Sequence, residues 1–173
     1  GRVSTTTAPD GRVSYTYYSK LDDGRMVTIS VPRRTGSGSY TYYGPASYTV
    51  TNLKGHTEFS GTLAISSSGV STGITSWIDE TDYDPLLAIG LGSVARMSTT
   101  ILSDTGCKVL ETRAYFDIPG SGDGTEGTHY DATLYGYDAM GRKWRVKGPT
   151  GSISRTVFEE RGRATQAWTG TND

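Results

Sequence analysis

The chain has 173 residues and a formal net charge of −1, from 17 basic and 18 acidic residues spread along its length, and only 34% of it is hydrophobic. That even spread argues against a nucleic-acid interface, which needs a concentrated basic face, and no apolar run is long enough for membrane insertion. A single cysteine, Cys107, excludes an internal disulfide.

In place of aliphatic residues stand 23 Gly, 19 Ser and 26 Thr, with 12 Tyr and 3 Trp to cover apolar surface. Such a composition predicts an all-β chain of thin sheets rather than a thick helical core. From the start, Val13, Tyr15 and Tyr17 alternate with Ser14, Thr16 and Tyr18, as a half-buried strand does. Turn signals flank it at Pro9-Asp10-Gly11 and Asp22-Asp23-Gly24. Residues 33–50 then read as a Gly/Ser-rich loop feeding a strand with Tyr40, Tyr42, Tyr43 and Tyr48, a candidate glycan platform. Two or three strands are expected over 57–80, then an acidic stretch with a short helical turn opened by Pro85. The β signal returns from Val94 to Phe116, and residues 117–131 form a glycine-rich loop.

The chain repeats itself. An offset of 140 places Gly1, Pro9, Gly11 and Tyr18 on Gly141, Pro149, Gly151 and Phe158. Between them, Asn52-Leu53-Lys54-Gly55 and Asp104-Thr105-Gly106 share the plan of Asp or Asn, a short spacer, Gly, then a strand. Glycine at these points supplies the positive φ of tight hairpin turns, and its spacing leaves strands of roughly 5–8 residues. A train of antiparallel hairpins is therefore expected, its turns marked by Gly11, Gly24, Asp138, Gly141, Arg142, Gly151, Gly162 and Arg163. The expected organisation is 1–56 as N-terminal repeats, 57–131 as a decorating β insertion, and 132–173 as C-terminal repeats.

Tyr137-Asp138-Ala139-Met140-Gly141-Arg142 resembles the signature of the YD-repeat, or RHS-repeat, family of large bacterial surface or secreted proteins. The resemblance extends over about 1–32 and 137–173. Departures occur where Phe158-Glu159 replaces Tyr-Asp, where Gly55 and Gly106 lack the following Arg, and where Leu21-Asp22 lacks the Tyr. The resemblance implies an extracellular or cell-surface setting in which hairpins spiral into an extended sheet or a hollow shell. Gly1 is not an initiator residue, so the chain is read as a processed product or a piece of something longer.

Catalytic patterns are missing. His56 and His129 lie far apart, with no Cys or His at ligand spacing, and neither a nucleophile elbow nor a phosphate-binding glycine loop is present. The expectation is a non-enzymatic chain without cofactors. Calcium candidates are Asp82, Asp84, Asp123 and Asp131, off the EF-hand spacing. With no Asn-x-Ser/Thr sequon, glycans would be O-linked, with Thr5, Thr6, Thr7, Ser66, Ser67, Ser68, Thr169 and Thr171 as candidates. The expected role is a structural repeat unit of an extracellular fibre or cell-surface stalk. Copies of itself would be its partners, pairing head to tail through β-strands. The alternatives are a glycan-binding adhesin segment and a fragment of an RHS-type toxin-encapsulating shell.

Overall fold

The computed structural model describes residues 2–35, 41–64, 70–71 and 94–172. The chain is all-β. In chain order the strands are β1 (Arg2–Thr7), β2 (Val13–Lys20), β3 (Met26–Val31), β4 (Arg33–Thr35), β5 (Thr41–Tyr43), β6 (Ala46–Thr51) and β7 (Thr57–Leu63). They continue as β8 (Val70–Ser71), β9 (Val94–Leu102), β10 (Val109–Tyr115), β11 (Tyr130–Tyr137), β12 (Lys143–Lys147), β13 (Ile153–Phe158) and β14 (Ala164–Gly170). Eleven of them form one sheet in the order β1-β2-β3-β6-β7-β9-β10-β11-β12-β13-β14. Every neighbouring pair is antiparallel. The remaining three make a small sheet, β4-β5-β8.

This is a meander whose connections alternate between two ends. One end carries five short turns, at 21–25, 52–56, 103–108, 138–142 and 159–163. The other end carries the short turns 8–12 and 148–152 and three longer excursions, 32–45, 64–93 and 116–129. Excursions leaving from one end only keep the other as an unbroken row.

Sequence reasoning placed 57–131 outside the repeat track as a decoration. Instead β7, β9 and β10 lie in the middle of the large sheet. The 64–93 connection, of which only 64 and 70–71 are described, hides from the sequence that β7 and β9 are neighbours. The helical turn expected at Pro85 falls outside the described residues.

The core lies on one face of the central strands. Val27, Ile29 and Val31 of β3, Ala46, Tyr48 and Val50 of β6, and Phe59 and Leu63 of β7 are buried there with Tyr17, Val94 and Met97. In β3 and β6 the period-2 pattern does this: alternate residues are buried and their neighbours are not. Excursions help to cover that face. Arg34 of β4 donates to the Tyr17 hydroxyl at 3.1 Å and lies 4.0 Å over the Tyr15 ring, while Ile118 packs against the same cluster. Burial thins towards the C-terminal edge, and in β14 every residue but Gly170 is exposed.

Candidate functional site

The element repeated along the sheet is the turn. In six of the seven short turns, the residue at position 1 accepts a hydrogen bond from the N–H of a glycine three residues on. It also donates its own N–H to the carbonyl of the residue after that glycine. Position 1 is Ala8, Leu21, Asn52, Asp138, Gly148 or Glu159, and the glycines have φ of 81–88°: 81° at Gly11, 88° at Gly24 and 85° at Gly162. This is a type I turn closed by a left-handed residue, one of the common hairpin loops. The seventh, Ser103 to Lys108, has one extra residue, Cys107, after Gly106.

Asp or Asn at position 1 does more than favour a turn. Asp138 Oδ1 accepts from the N–H of Met140 at 3.0 Å and of Arg142 at 2.8 Å, and Asn52 Oδ1 accepts from Lys54 and His56 at 3.0 Å each. One side-chain oxygen thus satisfies two turn donors that the hairpin ladder leaves over. Asp138 Oδ2 also holds Arg142 Nε at 2.6 Å. Burial pushes the Asp138 carboxyl up, but the Arg142 N–H and guanidinium and the Met140 N–H outweigh it and hold the group below its ordinary value. In turn 21–25 the acid sits two places later. The Arg25 N–H, with its guanidinium, lowers the Asp23 carboxyl against a smaller effect of burial.

Each turn of the five-turn row also touches the next. Arg25 Nη1 meets Glu58 at 3.6 Å, and Leu53 packs over Gly24 so closely that a Cβ there would lie 2.7 Å from its Cδ2. Asn52 Nδ2 donates to the Gly106 carbonyl at 3.3 Å, and Lys54 Nζ donates to the Thr105 carbonyl. Lys108 Nζ lies 5.4 Å from the centre of the Tyr137 ring, whose hydroxyl donates to the Val109 carbonyl at 2.9 Å. Arg142 lies 4.7 Å over the Phe158 ring and donates through Nη1 to the Glu159 carbonyl at 3.1 Å. The Tyr-Asp-x-x-Gly-Arg pattern therefore has a complete physical reading. The ring is a seat for the preceding turn's cation, the acid caps its own turn, the glycine takes the left-handed position, and the arginine reaches forward to the next ring. Phe158 keeps the ring and loses only the hydroxyl.

Of the residues singled out by sequence, Gly24, Asp138, Gly141, Arg142, Gly162 and Arg163 fall together in this row. Gly11 and Gly151 close the same turn at the opposite end. Asn52, Lys54 and Lys108 were not singled out as site residues. Asn52 could have been found, because like Asp138 it stands three residues before its turn glycine, but Lys54 and Lys108 stand at different offsets from theirs and carry no such signal.

Other candidates are scattered. Tyr48 is corrected from platform to core: it is 1% exposed and packs edge-on against Phe59 at 5.4 Å. Period-2 alternation says which residues share a face but not which face is covered. Tyr43 is half-buried beneath Arg33, whereas Tyr40 and the Tyr42 side chain lie outside the described residues. Asp82 and Asp84 also lie outside them. Asp123 takes Arg113 Nη1 at 3.1 Å, Asp131 is exposed on β11, and among the described residues no group of three metal-ligating side chains gathers. Thr5, Thr6 and Thr7 on β1, Thr169 on β14 and Thr171 are exposed, and Ser66, Ser67 and Ser68 are outside the described residues. Cys107 is exposed with Lys54 Nζ 3.2 Å from its sulfur. An open groove of about 840 Å³ runs beside the row, lined in part by Arg25, Lys54, Phe59 and Arg113. Of its four carboxylates, Asp23 and Glu58 meet Arg25, Asp123 meets Arg113, and the fourth is Asp104.

No protein-family model matches the chain, and a search of curated proteins finds no similar one.

Proposed function

We propose that the chain is a structural unit of an extracellular fibre or cell-surface stalk, built of YD-type hairpins and joined to copies of itself by β-strand pairing. Its work is mechanical rather than catalytic. The observation that carries this reading is the stapled row, which makes eleven strands one continuous track ending in two strands of a single neighbour each. Among the described residues neither β1 nor β14 has a second partner. Such edges pair with whatever matches them.

The strand count constrains the joint. Ten antiparallel steps separate β1 from β14, so the two edges run in the same direction. A copy added head to tail without being inverted therefore pairs its β1 parallel to β14. That contact is heterologous and does not close, so growth is open-ended. Pairing of β14 with β14 would instead close a dimer. Sedimentation across concentration separates the two. Open growth predicts a steadily rising mean mass, and Thr5→Lys on the β1 edge should lower that mean several-fold. A mass fixed at one or two chains throughout would overturn the reading.

A further inference from the structure

Each of the four junctions between successive turns of the row includes a contact of one kind: a cation of the earlier turn reaches the later hairpin, Arg25 to Glu58, Lys54 to Thr105, Lys108 to Tyr137 and Arg142 to Phe158. The two best-formed seat that cation on the aromatic residue just before the later turn, Lys108 on Tyr137 and Arg142 on Phe158. The last turn carries the same device. Glu159 holds Arg163 Nε as Asp138 holds Arg142 Nε, yet the Arg163 side chain is 74% exposed where that of Arg142 is 25% exposed. Beside it lies the edge of β14 with Trp168, 40% exposed. The Trp168 ring ends a stack that crosses three strands, with the Arg155 guanidinium 5.0 Å from Trp144 and 5.0 Å from Trp168.

We infer that the β14 edge together with Arg163 is a docking site for a β-hairpin whose first strand ends in an aromatic residue followed by Asp or Glu at the head of its turn. The first strand of that hairpin runs antiparallel to β14. Arg163 then stacks on the ring and donates to the carbonyl of the acid, repeating what Arg142 does with Phe158 and Glu159. The inference rests on the edge-pairing reading above and specifies the partner and its consequence. Docked in this antiparallel sense, which differs from the parallel β1 joint above, the chain's own N-terminal hairpin would offer Thr7-Ala8 and so lacks the ring, whereas Tyr137-Asp138 supplies it. A hairpin of the Tyr137-Asp138 type occupies β14 in preference to β1 of a second copy, and caps growth at that edge.

The test uses the full chain and a labelled synthetic hairpin of residues 134–147, held closed by a Cys pair added at its ends, with fluorescence anisotropy as the readout. The hairpin should bind saturably. Arg163→Ala should weaken binding about tenfold, within the range of a cation–aromatic contact plus a charge-assisted hydrogen bond. Arg163→Lys should recover most of it, since Lys108 performs the same stacking on Tyr137. Against a hairpin carrying Tyr137→Leu, Arg163→Ala should cost less than about twofold, because ring and cation are coupled. Arg12→Ala, in a turn at the other end of the sheet, serves as a control that should not change binding. No saturable binding, indifference to Arg163→Ala, or an equal loss in the Arg12 variant would overturn the proposal. Self-association is read separately. Growth without hairpin capture leaves the fibre standing and removes this docking site, and capture without growth does the reverse.

Discussion

Glycine at the turns carries two separable demands. At Gly11 the backbone has φ of 81° and a Cβ would meet nothing within 4 Å, whereas at Gly24 the φ of 88° is joined by Leu53 Cδ2 at 2.7 Å from the same point. Gly11→Ala should therefore cost about 1–2 kcal/mol, the penalty of the left-handed region alone. Gly24→Ala should cost clearly more, because it also displaces the side chain that joins two turns. Urea denaturation of both variants checks the order, and equal losses would show that Leu53 gives way freely. Asp138 makes a second residue-scale prediction. Its carboxyl is held below its ordinary value when folded, so the stability it contributes is present above the unfolded value of about 3.9 and is lost as pH falls through the folded one. Melting temperatures of the native chain and Asp138→Asn should converge in that acid range and separate above it. A constant gap from pH 2 to 7 would contradict the linkage.

At the scale of the element, strands of one sheet are unequally supported. Ile29 in β3 is 0% exposed and Val157 in β13 is 45% exposed. Ile29→Ala should destabilise by about 2–5 kcal/mol, and Val157→Ala by no more than about 0.5 kcal/mol. Hydrogen exchange should show the same gradient, slowest in β3 and β6 and fastest in β14, where the exposed edge opens locally at little cost. Much of this element order was legible in the sequence. Hairpin turns leave a mark because only glycine takes the left-handed position readily, and the alternation of Val13, Tyr15 and Tyr17 with Ser14, Thr16 and Tyr18 marks β2 as a strand. The staples between turns were not legible. Lys54 and Thr105 are separated by 51 positions, and nothing local in either segment announces the other. Tyr48 was misread for a related reason, since its burial depends on Phe59 of the next strand.

At the scale of the whole molecule, eleven of the described strands form one antiparallel sheet. The large sheet gathers its core at β2–β9 and thins towards β14, and in its row of five turns a cation of each turn reaches the next hairpin. The sequence showed repetition, but not that the central segment belongs to the track. The 64–93 excursion separates β7 from β9 by more residues than any hairpin loop, which makes neighbours look like strangers. Once they are paired, the odd strand number follows, and with it the parallel alignment of the two edges. Negative-stain electron microscopy of the purified chain tests this account most directly. With eleven strands in the large sheet spaced about 4.8 Å apart, the predicted result is unbranched filaments with an axial repeat of roughly 50 Å. Discrete single particles or closed pairs at every concentration would contradict it.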